Sequence, residues 1–149
     1  MYGFMTPQKR LNIVILRTED FTEDLYKYVK DFLIMLIENH AINSIMAGGD
    51  RKDTIYRIFC ELAVKYPRNS FSILLSNDEL AYEESDVPGV QIFALDPDIA
   101  YGSARDPASK RDNALLQLAD ILICRRGSNY DADSVNLKKF NPNLKIIPF

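Results

Sequence analysis

Leu11 to Leu16 reads Leu-Asn-Ile-Val-Ile-Leu, an almost unbroken apolar run rich in β-branched side chains. Such a run fits a strand buried on both faces, as in a parallel sheet. Leu25, Tyr28, Val29, Phe32 and Leu36 then recur at helical spacing. They predict a helix ending near Asn39, with Asp20 and Glu23, or Thr22, available to cap its start. Asn43 to Ala47 predicts a short second strand, and Ile55, Ile58, Phe59, Leu62 and Tyr66 trace one face of a second helix that Pro67 closes. Strands follow at Phe71 to Leu75 and Val90 to Leu95. Asp106-Pro107 is a helix-start pair, and the helix it opens runs to about Leu118. Ala114, Leu115 and Leu118 mark its sheet-facing side, with Arg111 on the same stripe. Ile121 to Cys124 and Lys145 to Phe149 read as the last two strands, with a polar stretch from Asp131 to Phe140 before the final one.

Strands alternating with helices predict an α/β fold: a three-layer, Rossmann-like arrangement with a mostly parallel sheet and helices on both faces, taken as one domain over residues 1–149. In such a sheet the loops after the strands share one edge, and ligands bind there at the switch in strand order. That edge would gather Arg17 to Asp20, Gly48 to Asp53, Asp96 to Arg105 and Arg125 to Asp133, with the arginines 17, 51, 105, 125 and 126. The run Gly48-Gly49-Asp50-Arg51-Lys52-Asp53 is the centre of this reading. Two glycines permit positive φ and uncovered backbone N–H groups, the following helix adds its positive end, and Arg51 and Lys52 add charge. Arg111, near the start of its helix, should emerge at the same edge. A snorkelling arginine, or one paired with Asp106 or Asp112, is the plainer alternative.

The formal charge is −3 over 149 residues, so the chain as a whole does not attract nucleic acid or an anionic membrane, and neither is expected as a partner. Cys60 and Cys124 lie far apart with no Cys-x-x-Cys, which suggests two reduced thiols in a cytoplasmic protein and neither zinc nor a disulfide framework. No cationic segment followed by an apolar run opens the chain, so no targeting segment is expected. His40, the single histidine, falls at the end of the first helix, where the dipole favours it. A histidine-based catalytic triad or metal cluster is not expected. Tyr101 and Tyr130 sit in loops at the proposed crevice, where either could stack on a base or ribose.

The order of these motifs resembles the SLOG superfamily, the Rossmann-like group that includes YspA-like proteins, the DprA core and the Lonely guy (LOG) phosphoribohydrolases. Arg17 to Phe21 and Gly48 to Asp53 stand where YspA-like members carry an arginine-containing turn and a Gly-Gly-Ala-x-Gly-Ala-Asp loop. Tyr101-Gly102-Ser103-Ala104-Arg105-Asp106-Pro107, then Arg111-Asp112-Asn113, then Ala119-Asp120 before a strand follow that group's Tyr-Gly-x-x-Ala-Gly-Pro-x-Arg-Asn pattern and its sequel. Lys52 replaces the third glycine of the loop. After the fifth strand, LOG enzymes carry a glycine-rich Pro-Gly-Gly-x-Gly-Thr-x-x-Glu segment with a catalytic glutamate. Here only Gly127 and Ser128 correspond, and no glutamate follows Glu84.

The resemblance implies a crevice that binds a nucleotide or nucleotide-derived small molecule, as a sensor or sequestering protein, with no cofactor. The residues it implies are Arg17, Gly48, Gly49, Asp50, Arg51, Asp53, Tyr101, Arg111, Asn113, Arg126, Gly127 and Ser128. The alternative is a LOG-like phosphoribohydrolase acting on nucleoside monophosphates, with Asp131 or Asp133 as the carboxylate that cleavage of an N-glycosidic bond needs. A scaffold domain without small ligand is a third reading. A homodimer is also expected from the resemblance, with Tyr2, Phe4 and Met5 as a candidate contact; an N-terminal arm folded on its own domain explains them equally.

Overall fold

The computed structural model describes residues 10–16, 21–49, 53–75, 87–94, 107–126 and 141–149. Among them six strands form one sheet: β1 (Leu11–Ile15), β2 (Ile42–Gly48), β3 (Phe71–Leu75), β4 (Val90–Ala94), β5 (Ile121–Cys124) and β6 (Lys145–Pro148). Their spatial order is β4-β3-β2-β1-β5-β6, and every neighbouring pair is parallel. Helices α1 (Glu23–Asn39), α2 (Thr54–Lys65) and α3 (Pro107–Leu116) follow β1, β2 and β4. The chain is thus a three-layer, Rossmann-like α/β fold. Strands β2 to β4 step away from β1 in one direction and β5 and β6 in the other, so the order switches between β1 and β5.

Side-chain alternation along the strands builds the layers. Ile13 and Ile15 of β1, Ile45 and Ala47 of β2 and Ile123 of β5 share a buried cluster with Val29, Leu33 and Leu36 of α1 and Ile55, Phe59 and Leu62 of α2. Val14 and Leu16, one position out of phase, join Leu122 and pack on Leu115, Leu116 and Ala119 at the α3 side. Ile13, Val14, Ile15 and Leu16 all have zero exposure, which is why the run at the start of the chain shows no polar alternation. Each such side chain contributes about 1.5–3 kcal/mol by leaving water.

Two helix faces differ from the sequence-based expectation. Tyr28 was expected to face inward, but it is 67% exposed, because Val29, Leu33 and Leu36 set the inward row and Tyr28 lies 100° around the axis from it. Leu118 is 53% exposed, because α3 ends at Leu116 and the following turn carries Leu118 outward, leaving Leu116 and Ala119 to fill the core. No described helix is long and apolar enough to cross a membrane.

Polar groups pin the layers at two places. At the starts of the strands, the Asp120 carboxylate accepts a hydrogen bond from the Asn12 backbone N–H at 2.8 Å, and Asn12 Oδ1 accepts from Ser44 Oγ at 2.9 Å and Asn43 Nδ2 at 2.7 Å. Strands β5, β1 and β2 are joined by this relay. Along the α1–α2 seam, Arg57 pairs with Glu23, Lys30 with Glu61 at 2.7 Å, and the Tyr66 hydroxyl donates to Glu38 at 2.6 Å. The Arg57 guanidinium also lies over the Tyr26 ring, 4.3 Å from its centroid. The Tyr26 hydroxyl is buried without a partner in full hydrogen-bond geometry, and burial first, then the neighbouring Glu61, raises its pKa.

Asp120→Ala removes a charge-assisted bond at the strand starts and is expected to destabilise by about 1.5–3 kcal/mol in urea unfolding. The Lys30 ammonium holds the Glu61 carboxyl below its usual range, and Glu61 raises the pKa of Lys30. The stability that Glu61 contributes is present above its unfolded pKa and is lost as pH falls through the lowered folded value. The part from Lys30 is lost as pH rises through its elevated one. Both side chains keep about a third or more of their surface in water, so Glu61→Gln is expected to cost less than about 1 kcal/mol at neutral pH and nothing measurable once Glu61 is protonated.

Candidate functional site

Each helix runs back antiparallel to the strands, so strand C-termini and helix N-termini share one edge of the sheet. At that edge stand Leu16 after β1, Gly48 and Gly49 at the end of β2, and Cys124, Arg125 and Arg126 at the end of β5. The first turns of α1, α2 and α3 point their partial positive charge to it.

Arg111 and Asp112 of α3 are the buried charged residues among those described, 6% and 4% exposed. Arg111 Nε lies 3.2 Å from Asp112 Oδ1. Neighbours in a helix ordinarily diverge by 100° and do not face one another. Here both side chains turn under the sheet edge, so the buried face of α3 is wide: Arg111, Asp112, Leu115, Leu116 and, past the helix end, Ala119.

Gly48 makes room for the pair. A Cβ at Gly48 would lie 2.8 Å from Arg111 Nε, 3.3 Å from Arg111 Cδ and 3.2 Å from Asp112 Oδ1, closer than side chains pack. Its φ lies outside the left-handed region, so the glycine is needed for space and not, as the sequence suggested, for a positive φ. The Gly49 N–H, expected to face a ligand, points to the Leu74 carbonyl at 3.4 Å, a long and weak last rung between β2 and β3. Asp53 caps α2 through its backbone, its carbonyl accepting from Tyr56 N–H at 3.1 Å, and its side chain makes no capping hydrogen bond. Its negative charge opposes an anion at the first turn of α2, which moves the favourable seat toward Arg111.

Across the switch, Arg125 acts on the start of α1. The Asp24 carboxyl is held below its usual range first by the Thr22 hydroxyl, and the Arg125 charge adds to this. Arg126 is exposed, and its backbone N–H donates to the Phe149 carbonyl, tying β5's end to the chain beyond β6. Strands β2 and β5 flank β1, so the Gly48 and Arg125 ends of the edge are two strand spacings, about 10 Å, apart. Asn113 is half-buried on α3, one residue beyond the pair.

The structure therefore brings Gly48, Gly49 and Arg111 together, with Asp53, Asn113 and Arg126 on adjoining segments. Arg17, Asp50, Arg51, Tyr101, Arg105, Gly127, Ser128, Asp131 and Asp133 lie outside the described residues. In the sequence Asp112 stands out only as one pairing option for Arg111. Its signal was present: an acid directly after a stripe arginine, in a helix with few apolar residues to bury. Among the described residues no group of His, Cys, Asp and Glu could hold a metal ion, and Cys60 and Cys124 are not joined in a disulfide.

The chain matches no family model, no curated protein and no solved structure.

Gly48→Ala forces the Arg111 side chain to move and is expected to cost about 1–3 kcal/mol in urea unfolding, as overpacking of a filled site does. Asp112→Ala leaves a buried guanidinium without its acid and is expected to cost about 3–5 kcal/mol, whereas Arg111→Met combined with Asp112→Leu should cost much less than the two single changes summed.

Proposed function

We propose that this protein binds a nucleotide or nucleotide-derived small molecule at the C-terminal edge of its sheet, as a sensor or sequestering protein. The supporting observation is the Arg111 guanidinium, buried against the backbone of Gly48 beside the switch in strand order. A buried cation costs desolvation energy, and Asp112 offsets it. The same arrangement holds the guanidinium in one orientation, which is what recognition of a phosphate requires. The ligand's anionic end would seat by Gly48, Gly49 and Arg111, and Arg126 would supply a second charge from the neighbouring strand end. The motif order shared with SLOG-type domains favours the same class of ligand. We place the protein in the cytoplasm and expect it to pair as a homodimer, which sedimentation would test.

The phosphoribohydrolase alternative depends on Asp131 or Asp133 and predicts release of ribose 5-phosphate from a nucleoside monophosphate. The binding reading predicts none.

Thermal unfolding with AMP, ADP, ADP-ribose, NAD, cyclic mono- and dinucleotides, and phosphate as control tests the proposal. A ligand at 100 times its Kd is expected to stabilise by about 2.7 kcal/mol, a rise of several degrees in Tm. Arg126→Ala, at an exposed position, should reduce the rise without lowering the Tm of the free protein, and Arg111→Ala should abolish it. No rise with any compound, in a folded wild-type protein, overturns the reading and favours a scaffold without small ligand.

A further inference from the structure

A cavity of about 430 Å3 opens at the edge of the sheet opposite Gly48 and Arg111, between the C-terminal half of α1 and the starts of β1, β5 and β6. It lies within the size range of small-molecule sites. Its walls are apolar: Phe32, Met35 and Leu36 from α1, and Leu11, Ile121 and Ile147 from the strands. Phe149 packs edge-on against Phe32, with ring centroids 5.3 Å apart. Among the described residues no helix lies beyond α1 on this face, beside the groove between α1 and the edge strand β6.

Four polar residues line the same cavity: His40, Asp120, Asn143 and Lys145. They carry charge of both signs. Asp120 is half-buried and oriented by its bond to the Asn12 N–H. A carboxylate accepts up to about four hydrogen bonds, so Asp120 can take a ligand's donor beside its contacts within the protein. The last carbonyls of α1 add partial negative charge on the same side, and α1 has no basic residue in its last turn. Lys145 is held only through its backbone, its N–H donating to the Asp120 carbonyl at 3.0 Å. Among the described residues its ammonium has no hydrogen-bond or ion-pair partner, and neither has the His40 imidazole.

A plain fatty acid would meet Asp120 and the helix end with the wrong charge, and a plain amine would leave Lys145 unused. A compact ligand with both charges at one end and an apolar body meets Asp120, Lys145 and the apolar wall together. We infer that the cavity bounded by Phe32, Met35, Ile147, Asp120 and Lys145 binds a free α-amino acid with an apolar side chain. Its ammonium faces Asp120 and the end of α1, its carboxylate faces Lys145, and its side chain lies on Phe32 and Ile147. This site is independent of the nucleotide proposal, since it uses the other edge of the sheet and none of the same residues.

The test is calorimetric titration of the full chain with L-phenylalanine and L-leucine, alongside N-acetyl-L-phenylalanine, which lacks the ammonium, and L-phenylalaninamide, which lacks the carboxylate. Saturable binding of at least one amino acid is expected, with each blocked phenylalanine derivative at least tenfold weaker than L-phenylalanine. Lys145→Ala, at an exposed position, should weaken L-phenylalanine tenfold or more and leave the amide unchanged, with an unaltered unfolding midpoint showing that the variant is folded. Absence of saturable binding, equal affinity for a blocked derivative, or a Lys145→Ala variant that binds as the wild type overturns the inference. So does concentration-dependent dimerisation that Met35→Glu abolishes, because the groove would then be covered by a second copy of the chain.

Discussion

Strand β1 must be buried on both faces. Ile13 and Ile15 point to one side, Val14 and Leu16 to the other, and none retains contact with water. Helices α1 and α2 cover the first side and α3 the second. A chain that builds strands outward from β1 in one direction, and then covers the other face, has to cross over and resume on β1's far side. The strand order β4-β3-β2-β1-β5-β6 is that solution, and the switch between β1 and β5 is its consequence. The place where loops diverge thus follows from the burial of four residues.

The crossing also explains why α3 carries charge into the interior. Its first turns pass over the end of β2, where Gly48 presents bare backbone and Arg111 with Asp112 fills the space that a side chain would otherwise take. The pair is an expensive way to fill a gap, since apolar residues of similar volume often serve stability as well or better. In the proposed function the expense has a return: a guanidinium fixed in direction at the ligand edge, with the rigid end of a central strand behind it.

The sequence carried most of the architecture because its strands are short, apolar and punctuated. Phe71 to Leu75 and Ile121 to Cys124 were legible to the residue, since each is a buried run between polar segments. Helix faces were harder. Tyr28 and Leu118 fit an apolar stripe by spacing, yet the first lies off the inward row and the second lies beyond the helix end, neither of which the spacing reveals. Arg111 stands at the edge that its position on the stripe of α3 suggests, but it is buried and paired with Asp112, the plainer alternative, and does not emerge there. Its packing on Gly48 was not legible, because it joins residues 63 positions apart through the crossover. The cavity at the strand starts was equally hidden, since Phe32, Lys145 and Asp120 come from three elements whose adjacency only the strand order establishes.

In the proposed function the Gly48–Arg111 edge receives the ligand. Amide and guanidinium NMR of isotope-labelled protein during titration with AMP and ADP-ribose tests it at the atoms concerned. The Gly48 and Gly49 amides and the Arg111 Nε–H are expected to shift together and saturate at one Kd, while Leu11 and Ala41 at the opposite edge stay still. Signals that do not move at Gly48, Gly49 and Arg111, or shifts confined to the opposite edge, would contradict it.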